Sequence, residues 1–318
     1  MEQIESGGKK IVSVVIPTYN EEENIHKIYN KVKQIFEIQL QNYDYRILFI
    51  DNCSTDESRN IIKKLAQENN RVQYIFNIKN FGFSKSTFYG LTQADGDCTV
   101  LLFADMQDPP ENIVTFVKEW ENGYKVVVGI KNKSTESRIM YFVRSVYYKF
   151  IDSITEISHI DHFTGFGLYD KSVIDIFRKV DDPMPYLRGI VAELAPECKK
   201  VYYEQQQRKY GKSSFDFMKL YDVAMLGITS YSKVLMRLAT FIGFGIGIVS
   251  LIIACVTLIL KLLHIIDYPV GTAATLIGVY FLGSMQLAFV GLLGEYIMNI
   301  NIRTMKRPLV IEEERYNL

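Results

Sequence analysis

Two long uncharged stretches constrain this chain more than any other feature. Residues 238–260 and residues 268–294 contain no Asp, Glu, Lys or Arg. A helix needs about 20 apolar residues to cross the hydrocarbon core of a bilayer, and buried helices of globular proteins usually have shorter apolar runs. The pattern therefore predicts two transmembrane helices, at about 238–262 and 269–295, within a membrane segment of residues 236–298. A pair of buried core helices is the weaker alternative, because the glycines of the first run would destabilise a soluble helix.

Charges beside the two runs predict their orientation. The flanking basic residues are Lys233, Arg237, Arg303, Lys306 and Arg307. Since basic flanks stay in the cytoplasm, residues 1–212 and the C-terminal tail, residues 299–318, are expected there. Residues 261–267 form a short link, so the helices would make a hairpin. The sequence thus predicts an integral protein of the plasma (inner) membrane with a cytoplasmic domain, and the N-terminal segment shows no apolar core of a signal peptide.

Charge and cysteine content narrow the function classes. Lys plus Arg and Asp plus Glu both total 36, so the composition shows no electrostatic footprint for nucleic acid. Cys53, Cys98, Cys198 and Cys255 have no C-x-x-C spacing. That distribution suits a reducing compartment and disfavours a structural zinc site.

Apolar strand patterns alternate with helical patterns through the first 130 residues. The predicted strands are residues 11–20, 45–52, 72–76, 98–105 and 125–130, and the predicted helices fall at 21–35, 54–69, 82–94 and 109–120. Asn20 and the Ser/Thr/Asp cluster that begins at residue 54 are expected to cap the first two helices. Continuous apolar strands alternating with helices indicate an α/β, doubly wound, mostly parallel sheet covered on both faces.

Polar residues follow three of the predicted strands. They are Tyr19, Asn20 and Glu21 after the first strand, Asp51 at the end of the second, and Asp105 at the end of the fourth. Ligands of such sheets bind beyond the carboxyl ends of the strands, so these side chains are expected to share one crevice. Each could instead be a turn former or a helix cap, and for Asp56 that alternative is at least as strong.

A phosphate-binding loop is absent from the sequence. No G-x-G-x-x-G follows the first strand, and the segment YGKSS at 210–214 lacks the earlier glycine of a P-loop. A nucleotide diphosphate held without such a loop needs a cation, and Mg²⁺ binds through one or two carboxylates plus the phosphates. Asp105 is the candidate ligand. The alternative is that Asp105 caps the turn before Pro109 and that Phe103 is the last buried residue of the strand.

Several segments carry a family resemblance. They are VVIPTYNEEENI, IDNCSTDES, FADMQDPPE, YLRGIVAEL, RKYGKSS and GEYIMNINIRTMKRPLVI. With them the chain resembles the family-2 glycosyltransferases over residues 11–311, in particular the polyisoprenyl-phosphate type that includes dolichyl-phosphate mannose synthases and bacterial undecaprenyl-phosphate sugar transferases. The resemblance implies a GT-A-like fold, a nucleotide-diphosphate sugar donor, Mg²⁺ or Mn²⁺, a polyisoprenyl phosphate acceptor and inversion at the anomeric carbon.

The same resemblance implies roles for individual residues. Nucleotide-sugar binding falls to Pro17, Tyr19, Asn20, Glu21, Asp51, Ser54, Asp56, Ala104 and Asp105. The metal ligands would be Asp105 and Gln107, and the acceptor phosphate would meet Arg138, Arg208 and Ser213. Catalysis would depend on Asp105 together with Arg208 and Lys212, which flank Gly211 in a basic loop that closes over phosphates.

The chain departs from the family pattern at two places. Phe103 stands where the family's D-A-D-L-Q-D begins with an acid, and Gly165-Phe166-Gly167 stands in place of D-F-R. The first change predicts a metal site of one carboxylate with Phe103 as a pocket wall. Together the changes also support a rival hypothesis, a non-catalytic membrane scaffold that binds a nucleotide sugar. A polysaccharide acceptor is a third hypothesis, although no Q-x-x-R-W signature is present.

The segment between the two predicted domains is amphipathic. Residues 213–235 mix aromatic and aliphatic side chains with Lys219 and Lys233, a pattern typical of helices that lie in the membrane interface. Such helices would bring the domain to the phosphate of a lipid acceptor. Small residues in the predicted spans, among them Gly243, Gly247 and Gly283, permit close helix packing, so a homo-oligomer is compatible with the sequence.

Overall fold

The computed structural model describes residues 8–133, 160, 163–195, 197–205, 272–305 and 307–318, with isolated positions between 241 and 263. The chain divides into two compact units. The first comprises Met1–Lys149, Ile157–Phe217 and Met305–Leu318, and the second comprises Phe150–Glu156 and Met218–Thr304.

The first unit is built from alternating strands and helices. Its strands are β1 (Ile11–Thr18), β2 (Asp44–Asp51), β3 (Val72–Asn77), β4 (Cys98–Leu101), β5 (Val126–Lys133), β6 (Phe163–Asp170), β7 (Lys199–Glu204) and β8 (Glu312–Tyr316). Its helices are α1 (Glu22–Ile38), α2 (Ser58–Glu68), α3 (Phe83–Gln93), α4 (Asn112–Glu121), α5 (Lys171–Phe177) and α6 (Leu187–Leu194). The α/β alternation expected for the first 130 residues is confirmed.

All eight strands belong to one mixed sheet in the order β7-β5-β6-β4-β1-β2-β3-β8. The four strands β4, β1, β2 and β3 pair in parallel, as predicted. The sheet also contains antiparallel pairs, which the prediction of a mostly parallel sheet allowed but did not locate. β6 runs antiparallel to both β4 and β5, and β8 runs antiparallel to β3. β6 therefore separates β4 from the parallel pair β5 and β7.

Two apolar clusters cover the two faces of the sheet. On one face α1 contributes Ile25, Ile28 and Val32 at helical spacing, all without exposed surface. On the other face α3 contributes Phe88 and Leu91, which are equally buried. Burying each such side chain contributes roughly 1.5–3 kcal/mol, so the continuous apolar run of β1 is stabilised from both sides.

The second unit contains α7, which spans Thr272–Thr304. Among the described residues, no helix meets the length and hydropathy needed to span a bilayer. The transmembrane hairpin stays a prediction. Most of its first span, and the predicted interfacial helices at 213–235, lie outside the described residues.

Candidate active site

The carboxyl ends of three parallel strands meet at one edge of the sheet. Thr18 at the end of β1 is paired in register with Asp51 at the end of β2. On the other side of β1, Val15 is paired with Leu101, the last residue of β4. The loops that follow β1, β2 and β4 therefore leave the same edge, as the sequence predicted, and they carry the candidate nucleotide-binding residues.

Asp51 is fully buried, and both of its carboxylate oxygens are hydrogen-bonded. Oδ1 accepts from the Ser54 backbone N at 3.0 Å and from Arg59 Nε at 2.6 Å. Oδ2 accepts from the Ser54 hydroxyl. A buried carboxylate is costly unless it is paired and hydrogen-bonded, and Arg59 supplies the compensating charge. In this structure Asp51 organises the loop after β2.

The loops after β1 and β2 are joined by side-chain to backbone hydrogen bonds. The Asn20 backbone N donates to Ser54 Oγ at 2.8 Å, and the Thr55 backbone N donates to Asn20 Oδ1 at 2.8 Å. Asp56 contacts both neighbouring helices, accepting from the Glu22 backbone N at 3.2 Å and from the Ser58 backbone N at 3.0 Å. Ser54, Asn20 and Asp56 thereby each accept a hydrogen bond from the backbone of the other segment.

The expected cap role of Asn20 is wrong. α1 begins at Glu22, its N-cap residue is Glu21, and the Glu21 side chain makes no capping hydrogen bond. Asn20 instead adopts the left-handed region with φ of 55° and turns its side-chain oxygen toward Thr55. The cluster that begins at residue 54 also leaves α2 without a side-chain cap at Glu57, although Asp56 bonds its first turn. Asn20 tolerates its left-handed backbone because short polar side chains form local hydrogen bonds there.

The remaining candidates of the nucleotide site differ in exposure. Tyr19 is 39% exposed and presents its ring at this edge. Pro17 is half-buried within β1, and Glu21 Oε2 accepts from Asn24 Nδ2 at 2.6 Å. The methyl group of Ala104 is buried in the core beneath the loop after β4. Tyr19 is therefore the aromatic surface in this group that a base could contact.

Asp105 lies in a tight turn after β4. Its Oδ1 accepts from the Gln107 backbone N at 3.1 Å, and Met106 between them has a positive φ of 58°. In the part of the chain that the structure describes, Asp105 Oδ2 accepts no hydrogen bond. Gln107 Oε1 accepts from Gln205 Nε2 at 3.0 Å, which holds this side chain beside the loop. One carboxylate and one amide oxygen are hard ligands that fit Mg²⁺ or Mn²⁺ when a diphosphate supplies the rest.

Asp108 belongs to the same loop, and no functional role for it was predicted from the sequence. Its side chain is buried and accepts a hydrogen bond from the Tyr203 hydroxyl on β7. Burial raises the pKa of Asp108 to about 6, even though Lys131 and the Tyr203 hydroxyl act in the opposite direction. Asp108 anchors the Asp105 loop to β7. The sequence feature that could have pointed to Asp108 is its alignment with the last acid of the family pattern D-A-D-L-Q-D.

Phe103 is a half-buried aromatic residue at the start of the same loop. It packs against both apolar clusters, and its ring centroid lies 5.5 Å from that of Phe83, the first residue of α3. Gly165 on β6 lies beside it with a φ of 109°, and its carbonyl accepts from the Tyr169 hydroxyl at 2.7 Å. Phe103 is thus an apolar wall next to the Asp105 turn.

The sequence profile described as "Glycosyl transferase family 2" matches residues 13–177, which include every loop of this edge up to β6 and α5. The chain belongs to glycosyl transferase family 2. The bactoprenol glucosyl transferase of Shigella phage SfV is 31% identical over 96% of this chain and 99% of its own length. The prophage bactoprenol glucosyl transferase homolog of Escherichia coli (strain K12) is 30% identical over 94% of this chain and 97% of its own.

Solved structures align with this chain at low identity. Mannosyl-3-phosphoglycerate synthase from Rubrobacter xylanophilus aligns with 15% identity and a TM-score of 0.47, over 72% of this chain and 74% of that one. This family-2 glycosyltransferase has the α/β class that its sequence predicted, with a mixed sheet.

Five residues of the predicted glycosyltransferase site belong to other segments of the chain. Arg138, Arg208, Gly211, Lys212 and Ser213 lie outside the described residues. Within the described residues, no group of three or more His, Cys, Asp or Glu side chains could hold a metal ion by itself. Asp105 and Gln107 stay the predicted metal ligands.

Proposed function

We propose that this family-2 glycosyltransferase transfers a sugar from a nucleotide-diphosphate sugar to a polyisoprenyl phosphate at the cytoplasmic face of the plasma (inner) membrane, with inversion at the anomeric carbon. The supporting observation is that relatives named as bactoprenol glucosyl transferases align with 94–96% of this chain and 97–99% of their own length. The similarity therefore extends beyond the donor-binding loops. Because these relatives are named glucosyl transferases, a nucleotide-diphosphate glucose is the first donor to test.

The proposed reaction needs no general base. The acceptor phosphate is anionic near neutral pH and attacks the anomeric carbon directly, so the protein must position it and stabilise the departing nucleoside diphosphate. Mg²⁺ or Mn²⁺, held by Asp105 and Gln107, would supply electrostatic stabilisation of the diphosphate. Tyr19 and the loop organised by Asp51 would hold the nucleoside.

The basic loop completes the proposed site. Arg208 and Lys212 would clamp phosphate groups, since a planar guanidinium fork and a point charge beside Gly211 suit a loop that closes over anions. Arg138 and Ser213 would meet the acceptor phosphate. These assignments come from the sequence pattern.

A membrane position is part of the proposal. The described side chains of α7 include large exposed apolar groups: Val279, Leu282, Leu287, Val290, Leu293 and Ile297. Exposed apolar surface of this extent marks a site of contact with lipid or another protein. We infer that the predicted hairpin holds the protein in the bilayer in which the isoprenoid acceptor resides. Resistance of the protein to alkaline carbonate extraction from membranes would support this, and release would contradict it.

The decisive experiment follows labelled sugar into lipid. Purified full-length protein is incubated with radiolabelled UDP-glucose, UDP-N-acetylglucosamine or GDP-mannose, Mn²⁺, and undecaprenyl phosphate in detergent. We expect label from one donor in the organic phase, dependent on the polyisoprenyl phosphate. Transfer to an added glycan without lipid would instead support a polysaccharide acceptor.

A non-catalytic scaffold is the second candidate, because Phe103 and Gly165 replace two acids of the family pattern. This candidate predicts nucleotide binding without turnover. Calorimetry with UDP and GDP in the presence of Mn²⁺ therefore accompanies the transfer assay. Binding together with no transfer to any acceptor would favour the scaffold.

A further inference from the structure

We propose that Arg59 is a positioning residue through which Glu313 of β8 orders the loop that follows Asp51. By ordering that loop, the docking of β8 on the sheet would set the affinity for the nucleotide. The nucleotide part of this inference rests on the proposed function. The structural part, that Glu313 orders the loop through Arg59, stands on contacts within the first compact unit.

The guanidinium group of Arg59 donates three hydrogen bonds, each to a different strand. Nε donates to Asp51 Oδ1 at 2.6 Å, Nη1 donates to Glu313 Oε2 at 2.8 Å, and Nη2 donates to the Asn77 carbonyl at 2.5 Å. The guanidinium also lies 5.0 Å from the ring centroid of Phe76. The side chain is 21% exposed, so these contacts leave it little freedom to rotate. Arg59 joins α2 to β2, β3 and β8.

β8 docks on the edge of β3 through its backbone and three consecutive glutamates. Glu312 accepts from the Tyr89 hydroxyl at 2.7 Å, and Glu314 lies 2.6 Å from Lys63 Nζ. Glu313 differs from its neighbours because its partner, Arg59, also contacts Asp51. Removing the charge of Glu313 or Glu314 should weaken docking of the strand, but only the first change weakens a hydrogen bond of Arg59.

The contacts continue from Asp51 into the loop after β1. Ser54 donates its hydroxyl to Asp51 Oδ2 and accepts from the Asn20 backbone N at 2.8 Å. Asn20 in turn accepts from the Thr55 backbone N. A hydrogen-bonded path therefore runs from Glu313 to the two loops of the predicted nucleotide site. Arg59 and Glu313 are 254 residues apart in the chain, so no local sequence pattern reveals this link.

The pKa of Arg59 agrees with this geometry. Burial alone would lower it, but the hydrogen bonds to Asp51 and Glu313 outweigh burial and raise the pKa above its ordinary value. Arg59 stays charged, and its charge compensates the buried Asp51. Glu313 is half-exposed, so its contribution is moderated by solvent and salt.

The test compares Glu313→Gln with Glu314→Gln in the full-length protein. The second variant is a matched control, because it removes the same charge from the next residue of the same strand. The side chain of Glu314 contacts Lys63 and the Tyr74 hydroxyl, so Arg59 loses only a nearby charge and keeps its hydrogen bonds. Hydrogen exchange is followed in peptides covering residues 52–58. We expect exchange there to be about threefold or more faster in Glu313→Gln and unchanged in Glu314→Gln. Equal exchange in both variants, whether faster or unchanged, would overturn the positioning role of Arg59.

Nucleotide titration tests the functional half separately. With UDP and GDP as probes in Mn²⁺, Glu313→Gln should raise the Kd by about three- to tenfold, and the donor KM should rise with kcat unchanged. Glu314→Gln should bind like the wild type. Equal affinities in all three proteins would overturn the coupling to the nucleotide site. A wild type that binds neither nucleotide would contradict the proposed function, and the exchange result would still decide the role of Arg59.

A conservative variant distinguishes the effect of the Arg59 hydrogen-bond geometry from the effect of its charge. Arg59→Lys keeps the charge opposite Asp51, but an ammonium group cannot hold Asp51, Glu313 and the Asn77 carbonyl in one planar arrangement. We expect Arg59→Lys to fold and to show the faster exchange of Glu313→Gln. Wild-type exchange in Arg59→Lys would mean that charge alone suffices and would overturn the positioning role.

Discussion

A methyl group added to Gly165 would lie 3.7 Å from Cζ of Phe103. These are the two positions at which the chain lacks an acid of the family pattern, so the missing acids would have been neighbours in space. Leu101 and Leu187 each lie 3.3 Å from the same methyl position. A single carboxylate left among these apolar groups would be poorly solvated and without a partner. The two departures thus form one local change, from a polar to an apolar patch.

Restoring the first acid should destabilise the protein. Phe103→Asp loses packing with Phe83 and both apolar clusters and places a charge among them, so we expect a loss of about 2–3 kcal/mol in the free energy of unfolding. Phe103→Leu, the control, should cost about 1 kcal/mol because it keeps an apolar side chain. Urea unfolding can be followed by the fluorescence of Trp120, the single tryptophan. Unchanged stability with raised turnover in Phe103→Asp would contradict the role of Phe103 as an apolar wall.

Alanine at Gly165 should be costly for two reasons that a control can separate. Gly165 has a φ of 109°, and its new methyl group would press on Leu101 and Leu187. Gly123 has a φ of 99° and open space around the same position. We expect about 1–2 kcal/mol for Gly123→Ala, from backbone strain alone, and about 1 kcal/mol more for Gly165→Ala. Equal losses in the free energy of unfolding for the two variants would contradict this and would show that Leu101 and Leu187 move aside without a penalty.

Asp105→Asn should abolish the metal dependence of nucleotide binding. The amide keeps the oxygen that accepts from the Gln107 backbone N, but it loses the charge that attracts a divalent cation. We expect turnover to fall by about 100-fold or more, and calorimetry should show the same UDP or GDP affinity with and without Mn²⁺. Asp182→Asn is the control, because Asp182 makes the same kind of turn hydrogen bond to the Met184 backbone N at 2.9 Å. Metal-dependent binding that survives in Asp105→Asn would reject the metal site.

Docking of β8 should weaken in acid. Hydrogen bonds from Lys63 and the Tyr74 hydroxyl lower the pKa of Glu314 below its ordinary value of 4.5. Because the folded-state pKa is the lower one, this stabilisation is present above about pH 4.5 and is lost as the pH falls through the lowered pKa. Both partners are about two-fifths exposed, so the pair contributes about 0.5 kcal/mol.

The measurement for this pair is Tm as a function of pH. Glu314→Gln should unfold at a slightly lower temperature than the wild type at pH 7, and the two curves should converge once the pH falls below the lowered pKa of Glu314. Lys63→Met should lose the same stabilisation at pH 7. A constant difference between wild type and Glu314→Gln across the range would show that ionisation of Glu314 does not stabilise the strand.

The first half of the sheet was predictable because its signals are local. The apolar run of β1, the helical spacing of Ile25, Ile28 and Val32, and the order of strands and helices all lie within short windows. β6 was not predicted, because Gly165 and Gly167 interrupt its apolar pattern. β8 was missed because EEERY resembles a solvated charged segment, and its partners are more than 200 residues away.

In the candidate site, too, local signals were predictive and long-range contacts were not. Asp51 and Asp105 were identified because each follows an apolar strand, and both lie at the predicted edge. Their partners were not predictable, since Arg59 and Tyr203 contact them or their loop only through the tertiary fold. The role of Asn20 was misjudged for the same reason: a hydrogen bond to Thr55 on another loop replaced the local cap.

The pairing of β8 with β3 has a consequence for biosynthesis. Tyr74 on β3 and Glu314 on β8 are 240 residues apart, so the ribosome releases β3 long before its edge partner exists. Until then β3 presents an unpaired, strongly apolar edge, the kind of edge that recruits other chains. Newly made chains should therefore stay bound to chaperones until β8 pairs with β3, and pulse-chase labelling with a chaperone pull-down would measure that interval.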